Sequence, residues 1–472
     1  MRSLLIALAA TALSACSYFE PLGPDAAGVT DGPAVPEAAA EPALKVDIHD
    51  GDFAQIQQFT TPGGVSVWLV QEPSIPILAL QMNWEAGSTA DPEGLEGLAD
   101  AVVYQMNEGA GDLDSLAFQT RMEELNMSFG CGSGADWTNC SARMLTRNAA
   151  EAMDLIALAF ANPRFDDGPF ERHRREDLIG LKQRETNARY LASTATANAL
   201  YPDHPYARQV TTESVEARTR DAALAHKDVL MTRDRLLVTA VGDISPEALA
   251  PLLDRVFASL PETSAVPSFE PITLPDAPAD PIVIDLSQPQ SLVSFTAPGL
   301  ERADPDFYAA SVLNYVIGGG GFESRLMKTL RVERGLTYGV GTGLRGSSAY
   351  LHTWIGSGQT KNESVGEFIT VLKDELRMIA ADGVTEQELA DAKAYITGSY
   401  PLGFDSNGKI AGNMMGVRQE GLPVDYFDTR NAYIEAVTLE DVNRLAAEYL
   451  QPENFTFVVV GEPDFTRPED ER

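Results

Sequence analysis

Imidazole, thiol and positive charge are all scarce in this chain. Its 472 residues include five histidines and three cysteines. The histidines are His49, His173, His204, His226 and His352, and no two of them stand at the spacing that lets neighbouring turns of a helix share a metal. So few cysteines exclude a disulfide scaffold or a cysteine-rich metal cluster. The sequence has no GxSxG elbow and no glycine loop ending in GK[ST], which removes the serine-hydrolase and phosphate-loop chemistries that need them. Lysine and arginine number 35 against 69 acidic residues, a formal charge of -34. Such a surface repels nucleic-acid phosphate and anionic lipid headgroups, and favours cationic or neutral partners. What the chain does have is apolar bulk. At 44% hydrophobic and 22% charged it can bury a sizeable core, and its length points to two or more domains.

The first residues read as an address. Arg2 precedes the apolar run LLIALAATAL, too short to span a bilayer, and LSAC (Leu13 to Cys16) follows at once. This resembles a bacterial lipoprotein signal, which implies cleavage before Cys16, lipid on its thiol and a periplasmic location. Ser17 after the cysteine favours the outer membrane, with the lipid as the one membrane contact. Residues 1–16 are thus expected to be a signal, and 17–44, rich in Pro, Ala and Gly without periodicity, an extended tether.

Cys131 and Cys140 lie in SFGCGSGADWTNCSAR, where strand-like residues flank a Gly-Ala-Asp turn. A hairpin there sets the two thiols about opposite each other, and in an oxidising compartment a disulfide is the expected outcome.

The chain also repeats itself. DRLLVTAVGD (234–243) and ENFTFVVVGEPD (453–464) share a polar start, an apolar run and a Gly-acid ending, about 220 residues apart, far beyond the period of a solenoid repeat. In each half a strand leads through an acid-Pro pair (Asp91-Pro92; Asp304-Pro305) to a helix, then a second helix, a hairpin and a long helix. The Pro-rich 263–280 stretch has no period and reads as a linker. The expectation is two homologous α+β domains, 45–262 and 281–465, each an antiparallel sheet covered by helices, with 466–472 as a tail.

GLADAVVYQM (97–106) sits on the first of these helices. Leu95, Leu98, Val102 and Met106 form an apolar stripe, leaving Asp100 and Tyr104 one turn apart on the opposite face. Taken alone, such residues are solvated decoration. His204, in HPY, reads as structural, and His49, between Asp47 and Asp50, as the solvated end of the tether.

VIGGGGFESRLMKTLRVERGLTYGVG (316–341), YPDHPYA (201–207) and the VVVGEPD ending resemble the insulinase/pitrilysin family of zinc metallopeptidases, which includes the mitochondrial processing peptidases. The resemblance runs through nearly all of the chain from TTPGGVSVWLVQEPSIPILAL onward and implies a clamshell of processing-peptidase-like domains. Active members carry HxxEH on the helix aligned with GLADAVVYQM: two zinc-binding histidines with a glutamate general base between them, and a third, glutamate, ligand on a later helix. Here Asp100 stands at the first histidine, Val103 at the glutamate and Tyr104 at the second histidine. By the family spacing Leu181, or its neighbour Gly180, replaces the third ligand. A valine cannot deprotonate water, and Asp with Tyr is a poor zinc set. The resemblance therefore implies no metal and no catalytic residue in this chain.

In LRVERGLTYGVG the resemblance carries over an arginine seven residues before a tyrosine, Arg331 and Tyr338, which in the family hold the substrate backbone across a chamber from the zinc. A guanidinium fork and a phenol suit that task, and the phenol also suits an oxyanion. Gly318, Gly319, Gly320 and Gly321 resemble the loop of non-catalytic processing-peptidase subunits that contacts the peptide; a tight turn between helices is the plainer reading. The implied role is a non-catalytic, substrate-binding subunit of a heterodimeric periplasmic peptidase, inactive alone, whose HxxEH sister supplies the zinc. Substrates are peptides held by strand addition. The rivals are a purely structural subunit and a stand-alone peptide-binding lipoprotein.

Overall fold

The computed structural model describes residues 44–346 and 348–465. The expected signal with Cys16, nearly all of the tether and the 466–472 tail lie outside the described residues.

Seven strands, β1 (Val46–Asp50), β2 (Gln55–Thr60), β3 (Ser66–Gln71), β4 (Ile77–Trp84), β5 (Ser128–Ser133), β6 (Thr138–Leu145) and β7 (Leu236–Gly242), form the first sheet in the order β1-β2-β3-β7-β4-β6-β5. Five more, β8 (Ile282–Asp285), β9 (Gln290–Pro298), β10 (Thr337–Arg345), β11 (Thr353–Lys361) and β12 (Thr456–Gly461), form the second in the order β10-β11-β9-β12-β8. Five strands of the first, β3-β7-β4-β6-β5, match the order β8-β12-β9-β11-β10, so one topology occurs twice. Both sheets are antiparallel except for one parallel pair each, β3 with β7 and β12 with β8. The two repeated sentences of the sequence are β7 and β12. Each is buried along nearly its whole length, as a strand covered on both faces must be.

On one face each sheet packs against helices of its own half. The other face is covered by a helix from the opposite half. The Asn407–Gln419 helix lays Ala411, Met414 and Val417 on Ile56, Trp68, Val70 and Val241 of the first sheet. Its Arg418 reaches through to Ser66 O and Val238 O at 3.1 and 2.6 Å, and burial pushes that guanidinium down to about 10. In return the Ala188–Leu200 helix sets Ala192 against Leu292, Val458 and Val460 of the second sheet.

Four local details complete the picture. His49 is not a solvated tether end: its Nε2 lies 2.6 Å from Asp428 Oδ2, and the pair ties β1 to the second half. The site could not be read as paired because its partner is 379 residues away. His204 stands in an aromatic cluster with Tyr206, Phe269 and Tyr350. Cys131 and Cys140 face each other across the β5–β6 ladder and are joined as a disulfide. The tips of the two equivalent hairpins meet, since Tyr206 Oη donates to Asp136, Ser348 Oγ donates to Tyr206 Oη at 2.8 Å, and Ala349 N donates to Asp136 Oδ2 at 3.2 Å.

Candidate functional site

The Leu98–Gln105 helix lies along edge strand β5, and its start is fixed by Asp91 rather than by a capping residue beside it. Gly97 enters the helix with φ +83°, which a side chain would resist. The buried Asp91 carboxylate accepts from Gly97 N at 2.8 Å and Ala99 N at 2.9 Å, with His226 Nε2 3.0 Å from the same group. These contacts satisfy N–H groups that the helix leaves open and place a carboxylate at its positive end. Leu98, Val102, Val103 and Met106 then face the core.

Asp100 and Tyr104 face the Asp167–Arg184 helix. Tyr104 stacks on His173, ring centroids 4.2 Å apart, and its hydroxyl accepts from Arg172 Nε at 3.1 Å. Arg172 in turn reaches Glu108 at 2.7 Å. One turn on, Asp177 accepts from the Arg218 guanidinium at 2.7 Å, and the other arm of Arg218 donates to Gly97 O at 2.7 Å. Arg218 is 3% exposed, so this is a buried cation clamped between the two helices. Asp100 keeps contact with water, yet crowding by protein and the charges of Asp91 and Asp177 push its carboxyl up to about 6, against the pull of Arg218 and Arg184. Burial lowers the His173 imidazole, with Asp177 opposing.

This donor set does not fit zinc. His173 is turned into the stack with Tyr104, its Nε2 3.8 Å from Asp177, and a guanidinium already neutralises the carboxylate that a dication would need. Among the described residues no three of His, Cys, Asp and Glu gather as a metal site. The residues that meet the Asp100/Tyr104 face are His173 and Asp177. Leu181, counted off by family spacing, lies a turn beyond Asp177 on the same helix, and Gly180 beside it. Spacing along the chain missed His173, Asp177 and Arg218, although the His-to-Asp step of four residues on a helix was there to be read.

The second candidate region is built on the second sheet. The glycine run begins inside one wide-turned π-helical segment, Tyr315–Gly319, and precedes another, Met327–Glu333, a rare geometry that recurs at functional positions. Gly318 is buried so close to β10 that a Cβ would lie 2.7 Å from Thr342 N, while Gly321 has φ +58°. Close packing therefore explains Gly318, and a left-handed turn explains Gly321. Gly319, Gly320 and Gly321 remain at least partly accessible. Arg331 lies over the Phe322 ring at 4.3 Å, and Tyr338 opens β10 with 82% of its surface exposed. Phe322 and Val332 are exposed as well. Among the described strands β10 pairs only with β11 and is the edge of its sheet, though near Tyr338 its backbone is engaged, Val340 N donating to Met327 Sδ and Gly339 N to Thr337 Oγ1.

Comparison with known proteins bears on the family and the fold. Residues 66–213 match the family described as Insulinase (Peptidase family M16), and residues 218–396 match the Peptidase M16 inactive domain. A Helicobacter pylori protein named as the non-peptidase homolog YmxG is 24% identical over 392 residues, 82% of this chain and 89% of that one. The crystal structure of a peptidase M16 inactive domain from Pseudomonas fluorescens is 27% identical and superposes with a TM-score of 0.80 over 88% of this chain and 99% of its own. The periplasmic protease PqqL of Escherichia coli shares the fold at 18% identity and a TM-score of 0.75, over 93% of this chain but 49% of its own.

Proposed function

The chain belongs to the M16 (insulinase) peptidase family, without that family's metal ligands, and from this premise we propose that it is the substrate-binding, non-catalytic subunit of a heterodimeric zinc peptidase. The observation that carries the reading is the Asp100/Tyr104 face. Where active members bind zinc and hold a base, this chain has Val103 turned into the core and Arg218 bridging Gly97 and Asp177. Hydrolysis would then need an HxxEH sister subunit carrying the zinc. The match to about half the length of PqqL, a single protease chain, supports a second subunit of similar size.

In this reading the chain's own contribution comes from the second sheet. Arg331, steadied by Phe322, offers a fork of donors, and Tyr338 offers one directed hydroxyl into open solvent. In this reading an extended peptide lies along β10, the edge strand of its sheet, with the accessible glycines close by. The lipoprotein-like start fits this reading, which has the chain on the periplasmic side of a membrane with lipid on Cys16.

Co-purification from cell envelopes tests the partner, and reconstitution with it tests the site. An HxxEH protein should come down with this chain, and Arg331→Ala with Tyr338→Phe should lower peptide cleavage by the pair at least tenfold while leaving the complex intact. Unchanged cleavage would leave a structural role as the better account. Stoichiometric zinc in the chain alone would refute the division of labour.

A further inference from the structure

The Ala188–Leu200 helix covers only part of the second sheet, and the uncovered part forms a groove that the peptidase reading does not use. The helix rests on β12 and β9, and beside it a cavity of about 480 Å³ opens over β9, β11 and β10. Its floor includes Ser294, Thr296, Ser357 and the side-chain-free Gly341 and Gly343. Ile355 and Leu351 add apolar surface, and Arg189 and Arg345 are its charged lining residues. None of the lining residues is acidic, although the chain has 69 Asp and Glu. Among the described residues no carboxylate is ion-paired with either guanidinium. Arg345 also bears on Tyr201 in the same lining, opposing the rise that burial gives its phenol.

We propose that this groove binds a short acidic peptide segment, its carboxylates held by Arg189 and Arg345 and its backbone lying on the Ser, Thr and Gly floor. The site goes beyond the peptidase reading and needs no partner subunit. The net charge of -34 argues for basic segments, but at physiological ionic strength fields are screened beyond about 8 Å. Within the groove two local arginines therefore outweigh the distant carboxylates. The volume suits roughly three residues in extended form.

Fluorescence anisotropy with the full-length chain alone tests the proposal. The probes are a labelled pentapeptide of alternating glutamate and valine and its counterpart with lysine for glutamate. The glutamate probe should bind at least tenfold tighter than the lysine probe, and the margin should shrink in high salt. Arg189→Ala with Arg345→Ala should weaken the glutamate probe about tenfold, the worth of two partly exposed ion pairs. Gly343→Phe should abolish binding with an unchanged thermal melt, because a Cβ there meets nothing within 4 Å and the ring fills the groove. Equal affinity for the two probes, or glutamate binding that survives either variant, would overturn the assignment. No proteolytic readout is involved, so failure here leaves the subunit reading standing, and failure of that reading leaves this site standing.

Discussion

Replacing Arg218 with methionine removes the buried bridge between the Leu98–Gln105 and Asp167–Arg184 helices while keeping most of the side-chain volume. Two charge-assisted hydrogen bonds are lost, to Gly97 O and Asp177 Oδ2, both 2.7 Å long. The larger effect is what stays behind, since Asp177 is left near Asp100 and Asp91 with no cation beside it. Breaking a buried ion pair from one side costs about 3–5 kcal/mol. Asp177 retains 24% side-chain exposure and so recovers some hydration, which puts the expectation near the lower end, about 3 kcal/mol. Urea unfolding should show the loss as a lower midpoint with an unchanged slope. Adding Asp177→Leu should recover at least about 1 kcal/mol, because the double variant buries no orphaned charge. A single variant within about 0.5 kcal/mol of the native protein, or a double variant no better than the single, would refute the bridging role of Arg218.

Two further outcomes follow from the same region. The Asp100 carboxyl is pushed up to about 6, so the folded chain holds a proton there that the unfolded chain releases near pH 4. Stability must then fall as pH rises from about 4 to about 6. Asp100→Asn should therefore stabilise by about 1 kcal/mol at pH 8, a figure reduced for its contact with water, and by nothing at pH 4; equal effects at both pH values would show that the shift is absent. Replacing Cys131 and Cys140 by serine opens a loop spanning nine positions and should cost about 2–3 kcal/mol by chain entropy, read as a lower melting temperature. The same melt under reducing agent should bring the native protein to the variant's value; a native protein that already melts with the variant when no reducing agent is present would contradict the bond.

The α+β class, the doubled order of elements and the face bearing Asp100 and Tyr104 were all legible in the sequence, because each rests on periodicity within one segment. β7 and β12 announced the repeat through their own apolar runs. What the sequence hid was each segment's partner. His173, Asp177 and Arg218 lie some 70 to 120 residues from the helix they meet, and only the folded packing of the two helices brings them to it. His49 failed for the same reason, its partner Asp428 being almost at the other end of the chain. The parallel pairs at β3–β7 and β8–β12 were also invisible, since alternation along a strand says which face is buried and not which way the neighbour runs.

The exchanged helices decide where this protein can move. Separating the two halves would strip the Asn407–Gln419 helix from Trp68, Ile56 and Val70, and the Ala188–Leu200 helix from Val458 and Val460, baring two apolar floors at once. The chain is thus latched to itself twice, in opposite directions, and a cut in the 263–280 linker would nick it without parting it. If the chain works with a sister subunit as proposed above, a jaw that opens to admit a peptide has its seam between the two chains, because this one is closed against itself.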